Sequence, residues 1–316
     1  MSRLFHELVR MRTGLYDRGY LQAHALDHPV ISVGNLTTGG TGKTPLVIAL
    51  ASEFRDLGYR PVILSRGYRR KSRGIVVVSR GRGPEVDWKR AGDEPFLMAI
   101  RLPDVAIVVG GDRYQAGRRA EAERLGDLFI LDDGFQHRRL VRDVDIVAID
   151  PNDWKGEARL LPAGNWREPP GALDRADAAC VRAPRADPGW RLPLPTFRFT
   201  TEVDGIVRNG RILAPESLGD QPVVAFAGIA KPQRFFDTLA SLGLNIVSTI
   251  RFPDHHAFRA GDLDSLPEGI RMTTEKDAVR LPPGDFCFVR ISANILNFKA
   301  LRDLILERIA SRAPSD

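Results

Sequence analysis

The chain of 316 residues contains only two cysteines, Cys180 and Cys287, far apart in sequence. That excludes a disulfide framework and a cysteine-rich metal site, and both are expected as reduced thiols in a core. No apolar run approaches the roughly 20 residues of a membrane-spanning helix. A secretion signal is not expected either, because Arg3, His6, Glu7, Arg10 and Arg12 interrupt the first apolar stretch. The chain is therefore expected on the cytoplasmic side. It has no internal repeat and no low-complexity tract. With no recognition helix or aromatic stacking module, no nucleic-acid partner is expected. Its apolar and charged fractions, 43% and 27%, are those of a globular protein about two domains long.

The net charge is +6, carried mostly by arginine. The planar guanidinium suits phosphate. A basic chain can meet nucleic acid, an anionic membrane or a phosphorylated small substrate, and charge alone does not choose among them. In residues 1–27, Leu4, Phe5, Leu8, Val9, Met11, Leu15 and Tyr16 fall near helical spacing, with Arg3, Arg10, Arg12 and Arg18 between them. The pattern predicts an amphipathic helix that either packs as an ordinary surface helix or lies on an anionic membrane.

From residue 29 short apolar strands alternate with helices. Strands are expected at 29–33, 61–64, 75–78, 105–109, 128–131 and 145–149, with helices at 45–57 and 113–125. This alternation implies a mostly parallel sheet covered on both faces. Residues 162–170 and 184–195 read as Pro- and Gly-rich connections, and 197–213 as a hairpin turning at Asn209-Gly210. A second α/β series follows Pro222 and ends in an amphipathic helix at 297–310. The expected fold class is α/β, with a P-loop NTPase-like domain of mostly parallel sheet at 29–183. A smaller C-terminal α/β domain is expected at 184–316, and the N-terminal helix at 1–28.

The segment Thr37-Thr38-Gly39-Gly40-Thr41-Gly42-Lys43-Thr44 follows a strand and opens a helix. Glycines there let backbone N–H groups turn toward phosphate oxygens, and the helix N-terminus adds positive charge. Lys43 suits the β- and γ-phosphates of ATP, and the Thr44 hydroxyl suits Mg²⁺. Thr37 stands where the usual pattern has its first glycine, so the loop is a GGxGKT variant.

An apolar strand ends in Asp132-Asp133. In P-loop proteins the acid at such a strand end helps hold the metal, so Asp132 is expected to face Mg²⁺ with Asp133 beside it. Asp93 is the candidate base for a hydroxyl acceptor, and Glu94 a candidate ligand for metal or water. Arg113, opening a helix, suits a transferring phosphoryl group. Arg66, Arg69, Arg70, Lys71 and Arg73 form either a receptor for a phosphorylated group or a solvated basic loop. His255 and His256 are adjacent loop histidines, ordinary on a surface, though one paired with a carboxylate can tune a base. His137 is ambiguous in the same way. Thr273-Thr274-Glu275-Lys276-Asp277 looks like a loop that faces nucleotide.

Taken in order, these motifs resemble the tetraacyldisaccharide 4′-kinase family, the lipid A 4′-kinases of Gram-negative bacteria. The resemblance rests on Gly34-Asn35-Leu36, the glycine loop, Ser65-Arg66-Gly67-Tyr68, Gly92-Asp93-Glu94-Pro95 and Gly110-Gly111-Asp112-Arg113. It continues through Asp132-Asp133-Gly134-Phe135-Gln136-His137, Leu161-Pro162-Ala163-Gly164, Arg167-Glu168-Pro169, Pro253-Asp254-His255-His256 and Thr274-Glu275-Lys276-Asp277. It implies an ATP- and Mg²⁺-dependent kinase that phosphorylates the 4′-hydroxyl of an acylated glucosamine disaccharide 1-phosphate, giving lipid IVA. It also implies attachment to the cytoplasmic face of the inner membrane through the N-terminal helix. By the same resemblance Asp93 is the base, His255 its partner and Arg113 a phosphate contact. Arg66, Tyr68, Gln136 and His137 are expected on the substrate side. The alternative is a P-loop switch ATPase at the membrane, which hydrolyses ATP without an acceptor.

Overall fold

The computed structural model describes residues 2–154, 157–182 and 192–312. Contacts divide the chain into two units, Met1–Thr201 with Ala293–Asp316, and Glu202–Ser292. The first unit opens with α1 (Ser2–Asp17), β1 (Val30–Gly34), α2 (Lys43–Asp56), β2 (Pro61–Ser65) and β3 (Val76–Arg80). It continues with α3 (Trp88–Ala91), α4 (Asp93–Arg101), β4 (Ala106–Val109), α5 (Arg113–Ala122), β5 (Leu128–Asp132), β6 (Val144–Ile149) and β7 (Ala178–Arg182). These strands lie in the order β7-β6-β1-β5-β2-β4-β3. All pair in parallel except β3, which runs antiparallel to β4. Next comes β8 (Thr196–Arg208), which starts in parallel beside β7.

Successive strand residues point to opposite faces. Ile31, Val33, Ile63, Leu128 and Ile130 join Leu46, Leu50 and Phe54 of α2 on one side. Val30, Val62, Leu64, Phe129 and Leu131 join Ala116 and Ala120 of α5 on the other. Both faces are covered, which is why the strands read as unbroken apolar runs.

The second unit holds the end of β8, which turns at Asn209-Gly210 into β9 (Arg211–Leu213). Beyond these lie β10 (Val223–Ala227), α6 (Pro232–Ser241), β11 (Ile246–Arg251), α7 (Ala260–Asp264), β12 (Ile270–Thr274), α8 (Glu275–Ala278) and β13 (Cys287–Ile295). β10 lies in parallel between β11 and β12, and β12 pairs in parallel with β13. The chain returns to the first unit within β13 and ends in α9 (Phe298–Ala310).

Three features differ from expectation. The division falls at Thr201/Glu202 rather than at 183/184; residues 183–191, part of the expected linker, lie outside the described residues. The terminal helix belongs to the first unit, because Leu301 and Ile305 are buried in the core that α2 covers. There Arg302 of α9 pairs with Glu53 of α2 at 3.1 Å. Strand β7 carries no strand signal in the sequence, since Ala178-Ala179-Cys180 lacks the β-branched run that marks its neighbours. Both cysteines are free and buried, and burial pushes the Cys180 thiol up to about 12.

Leu301→Ala is expected to destabilise the protein by about 2–5 kcal/mol, the cost of a buried leucine cavity. A lowered urea midpoint checks this, and an unchanged midpoint would refute the packing of α9 on the first unit.

Candidate active site

β1 lies at the middle of the first unit's sheet, and Val33 is opposite Asp132 on β5. Register alone therefore sets the loop after Gly34 beside the paired aspartates. The buried Asn35 shapes that loop, its amide donating to the Thr37 carbonyl (2.6 Å) and the Thr41 hydroxyl (3.3 Å). Gly42 ends the loop at φ 88°, and a Cβ there would meet the Phe199 ring at 2.9 Å. The Thr37 and Thr41 side chains are buried, whereas Gly39 and Gly40 are exposed, and Lys43 and Thr44 open α2 half-buried.

The stretch expected as a loose Pro- and Gly-rich connection is the outer support of this loop. The Thr38 N–H (2.6 Å) and hydroxyl (3.2 Å) donate to the Asn165 carbonyl, and the Arg167 N–H donates to the Leu36 carbonyl (2.7 Å). Leu160, Trp166 and Glu168 are buried, so the segment is packed and does not divide domains.

The two aspartates occupy opposite environments. Asp133, in a left-handed turn at φ 55°, accepts from the Lys43 ammonium at 3.0 Å and the Arg167 guanidinium at 2.8 Å. Burial pushes its carboxyl up, but the two cations outweigh burial and hold it well below the usual carboxylate range. Asp132 is buried, and one oxygen accepts from the Ser65 hydroxyl at 2.9 Å. Burial, then the charges of Glu94 and Asp133, push its carboxyl up to about 7 against the pull of Lys43. Its other oxygen, Oδ1, is buried with no hydrogen-bond partner. Such an orphaned acceptor fits a cation or a metal-bound water. Among the described residues no cluster of three or more His, Cys, Asp or Glu could hold a metal ion, so a cation at Asp132 would depend on the phosphate groups it accompanies.

The turn after Asp133 is fixed to the loop. The Gly134 N–H donates to the Val33 carbonyl (3.2 Å), and the Gln136 amide donates to the Asn35 carbonyl (2.9 Å). The Gln136 carbonyl in turn accepts from both terminal nitrogens of Arg12 on α1, each at 3.1 Å. Arg175, paired with the buried Glu168 at 2.7 Å, lies over the Phe135 ring. The Arg113 N–H donates to Nε2 of His137 at 3.3 Å, so the neutral imidazole carries its proton on Nδ1. Burial and the Arg113 charge push His137 down to about 3. Burial and the nearby Arg66 push Arg113 down to about 10, leaving it charged at neutral pH.

Thus Lys43, Asp132, Asp133, Glu94, Arg66, Arg113 and His137 interact through ion pairs, a hydrogen bond and close charges, while Gln136 bonds to Asn35 and Arg12. Asp93 is buried at the start of α4, where its carboxylate accepts from the Glu94 N–H (3.0 Å). Tyr68 is exposed, with Arg69 over its ring. Ser65 and Arg167, which the sequence marked only as members of motifs, bond directly to the two aspartates.

In the second unit the adjacent histidines separate. His256 pairs with Asp262 at 3.0 Å and stacks on Phe252, whereas His255 occupies a left-handed position at φ 61° with Nε2 3.8 Å from Asp254. The expected nucleotide-facing loop is corrected at three residues. Thr273 is buried and donates to the Phe226 carbonyl, while Thr274 and Asp277 bond to each other. Their polar groups are spent inside the unit.

A glycine loop at the end of a central parallel strand, a lysine opening the next helix and carboxylates ending the adjacent strand define a P-loop nucleotide-binding protein. The family model for tetraacyldisaccharide-1-P 4′-kinase, LpxK, matches residues 1–310. The chain is 40% identical to the tetraacyldisaccharide 4′-kinase of Aquifex aeolicus, across 94% of this chain and 91% of that protein. It is 41% identical to the kinase of that name from Anaeromyxobacter dehalogenans, across 92% and 84%. The crystal structure of the "apo" form of LpxK from Aquifex aeolicus in complex with ATP superposes with a TM-score of 0.87 at 38% identity, covering 98% of this chain and 97% of that one. The chain belongs to the tetraacyldisaccharide 4′-kinase family. It is a kinase of the P-loop class, and the switch-ATPase alternative is not favoured.

Because the folded-state value of Asp132 is raised, its ionisation opposes folding, and stability is lost as pH rises from about 4 through about 7. Asp132→Asn is therefore expected to stabilise the nucleotide-free protein at pH 8 by on the order of 2–4 kcal/mol, fading toward pH 4. Thermal melts across that range check it; a gain independent of pH would contradict the burial argument.

Proposed function

We propose that this chain transfers the γ-phosphoryl group of ATP to the 4′-hydroxyl of an acylated glucosamine disaccharide 1-phosphate, forming lipid IVA in lipid A biosynthesis. The observation that carries the reading is the meeting of Lys43, Asp132 and Asp133 at the end of the glycine loop, in a chain of this family. The loop N–H groups and Lys43 hold the β- and γ-phosphates, with Lys43 leaving Asp133 as they arrive. Asp93 orients the sugar hydroxyl and accepts its proton, and His255 is the second group in that proton transfer. Arg113 offsets charge on the phosphoryl oxygens. Arg66, Tyr68, Gln136 and His137 receive the acceptor, with Nδ1–H of His137 as a neutral donor. Mg²⁺ supplies positive charge against the phosphate oxygens, and Thr44 and Asp132 are the residues that would hold it, with Asp133 and Glu94 beside them.

The place of action is the cytoplasmic face of the inner membrane. Among the described residues no helix is long and apolar enough to cross a membrane. On α1, Leu8 and Met11 are one turn apart and exposed, near basic residues. Such a helix suits an anionic interface.

The decisive assay is transfer of labelled γ-phosphate to the tetraacyl disaccharide by purified protein; ATP hydrolysis indifferent to that acceptor would sink the reading. Asp93→Ala is expected to lower kcat by about 10²–10⁴-fold with little change in KM for ATP. Leu8→Asp with Met11→Asp is expected to reduce co-sedimentation with anionic vesicles and leave ATP binding intact. Undiminished sedimentation would rule α1 out as the contact.

A further inference from the structure

The second unit carries a buried ion pair that the phosphotransfer scheme does not use. Asp277 and Arg280 bond to each other with side chains 0% and 1% exposed. Both also bond to the peptide groups of one residue, Gly228, which follows β10. The Gly228 N–H donates to Asp277 Oδ2 at 3.0 Å, and the Gly228 carbonyl accepts from the Arg280 guanidinium at 2.9 Å. That same carbonyl accepts the N–H of His255, also at 2.9 Å. Thr274 steadies the acid, donating from its hydroxyl to Asp277 Oδ2 at 2.8 Å and accepting the Asp277 N–H at 3.0 Å.

The space around Gly228 admits no side chain without displacement. A Cβ there would meet the Pro253 carbonyl at 3.2 Å, Asp277 Oδ1 at 3.3 Å and His256 Cβ at 3.3 Å. Two segments converge on this one glycine, the Asp277–Arg280 pair and the turn that carries His255. Histidine at φ 61° sits in a conformation that non-glycine residues seldom adopt, so surrounding bonds must specify it. The Gly228 carbonyl supplies one of those bonds, and its orientation is set by the ion pair.

A buried ion pair is weak as a source of stability, because desolvation offsets much of its attraction. Its best-attested use is to specify one arrangement over others. We infer that Asp277 and Arg280 are positioning residues for His255, acting through the Gly228 peptide and steadied by Thr274. The catalytic consequence rests on the proposed role of His255; the geometric one does not.

The test uses the full chain and three variants, Thr274→Val, Asp277→Asn and His255→Ala. The imidazole resonances of His255 are assigned in long-range ¹H–¹⁵N spectra by their loss in His255→Ala. They are expected to shift or broaden in both other variants, while those of His28 in the first unit stay in place. Unmoved His255 resonances in both variants overturn the inference. Thr274→Val keeps the ion pair, so it reports even where Asp277→Asn, which removes the acid of that pair, fails to fold. In the kinase assay Thr274→Val is expected to lower kcat several-fold at unchanged KM for ATP. The same change in the His255→Ala background should have less than a twofold further effect. Equal losses in both backgrounds overturn the action through His255. A fully active His255→Ala enzyme would instead remove the proposed role of that histidine, and the resonances alone then decide the positioning.

Discussion

Asp133 sits between the Lys43 ammonium at 3.0 Å and the Arg167 guanidinium at 2.8 Å, in a left-handed backbone conformation. Three parts of the chain are joined by that one carboxylate: the first turn of α2, the end of β5 and the packed segment around Trp166. In the proposed scheme Lys43 meets phosphate, and its pairing with Asp133 holds the ammonium at the end of the glycine loop. A phosphate entering the loop would then compete with Asp133 for that ammonium. Arg167 keeps the acid from being left uncompensated when the lysine departs. The glycine loop owes its shape to the same neighbourhood, since Asn165 and Arg167 bond to Thr38 and Leu36.

Adjacent carboxylates given opposite tendencies are a recurring device where charge must be handled. Here one strand end does it in two residues. Asp133 faces cations and stays ionised, whereas Asp132 faces the interior, Ser65 and the charge of Glu94. The unpartnered oxygen of Asp132 is a cost that an apolar residue would avoid. Placing that cost beside the phosphate loop accords with a site whose missing charge arrives with its ligands.

Much of this was legible in the sequence, for physical reasons. Strands buried on both faces must be apolar throughout, and a phosphate loop must be glycine-rich between strand and helix. What stayed hidden depended on partners distant in sequence. The pattern of α9 promises an apolar face and cannot say which sheet Leu301 and Ile305 will meet. Residues 162–170 look like a connection because prolines and glycines break regular structure, yet irregular backbone can pack as firmly as a helix. Asp132 and Asp133 are indistinguishable as letters; the left-handed turn decides which one faces Lys43. His255 and His256 likewise part only because Asp262 and Phe252 claim the second of them.

The second unit is continuous in the chain, whereas the first is closed by the residues that follow it. On a ribosome the chain emerges from its N-terminus. The strands and phosphate loop of the first unit are therefore made early, but Leu301 and Ile305 are made only after the whole of the second unit. Until then, one apolar flank beside α2 stays open to water. The second unit carries all its own sequence before that moment and is free to fold ahead. Order of synthesis and order of completion thus run opposite ways: the unit begun first is the one closed after the other is made.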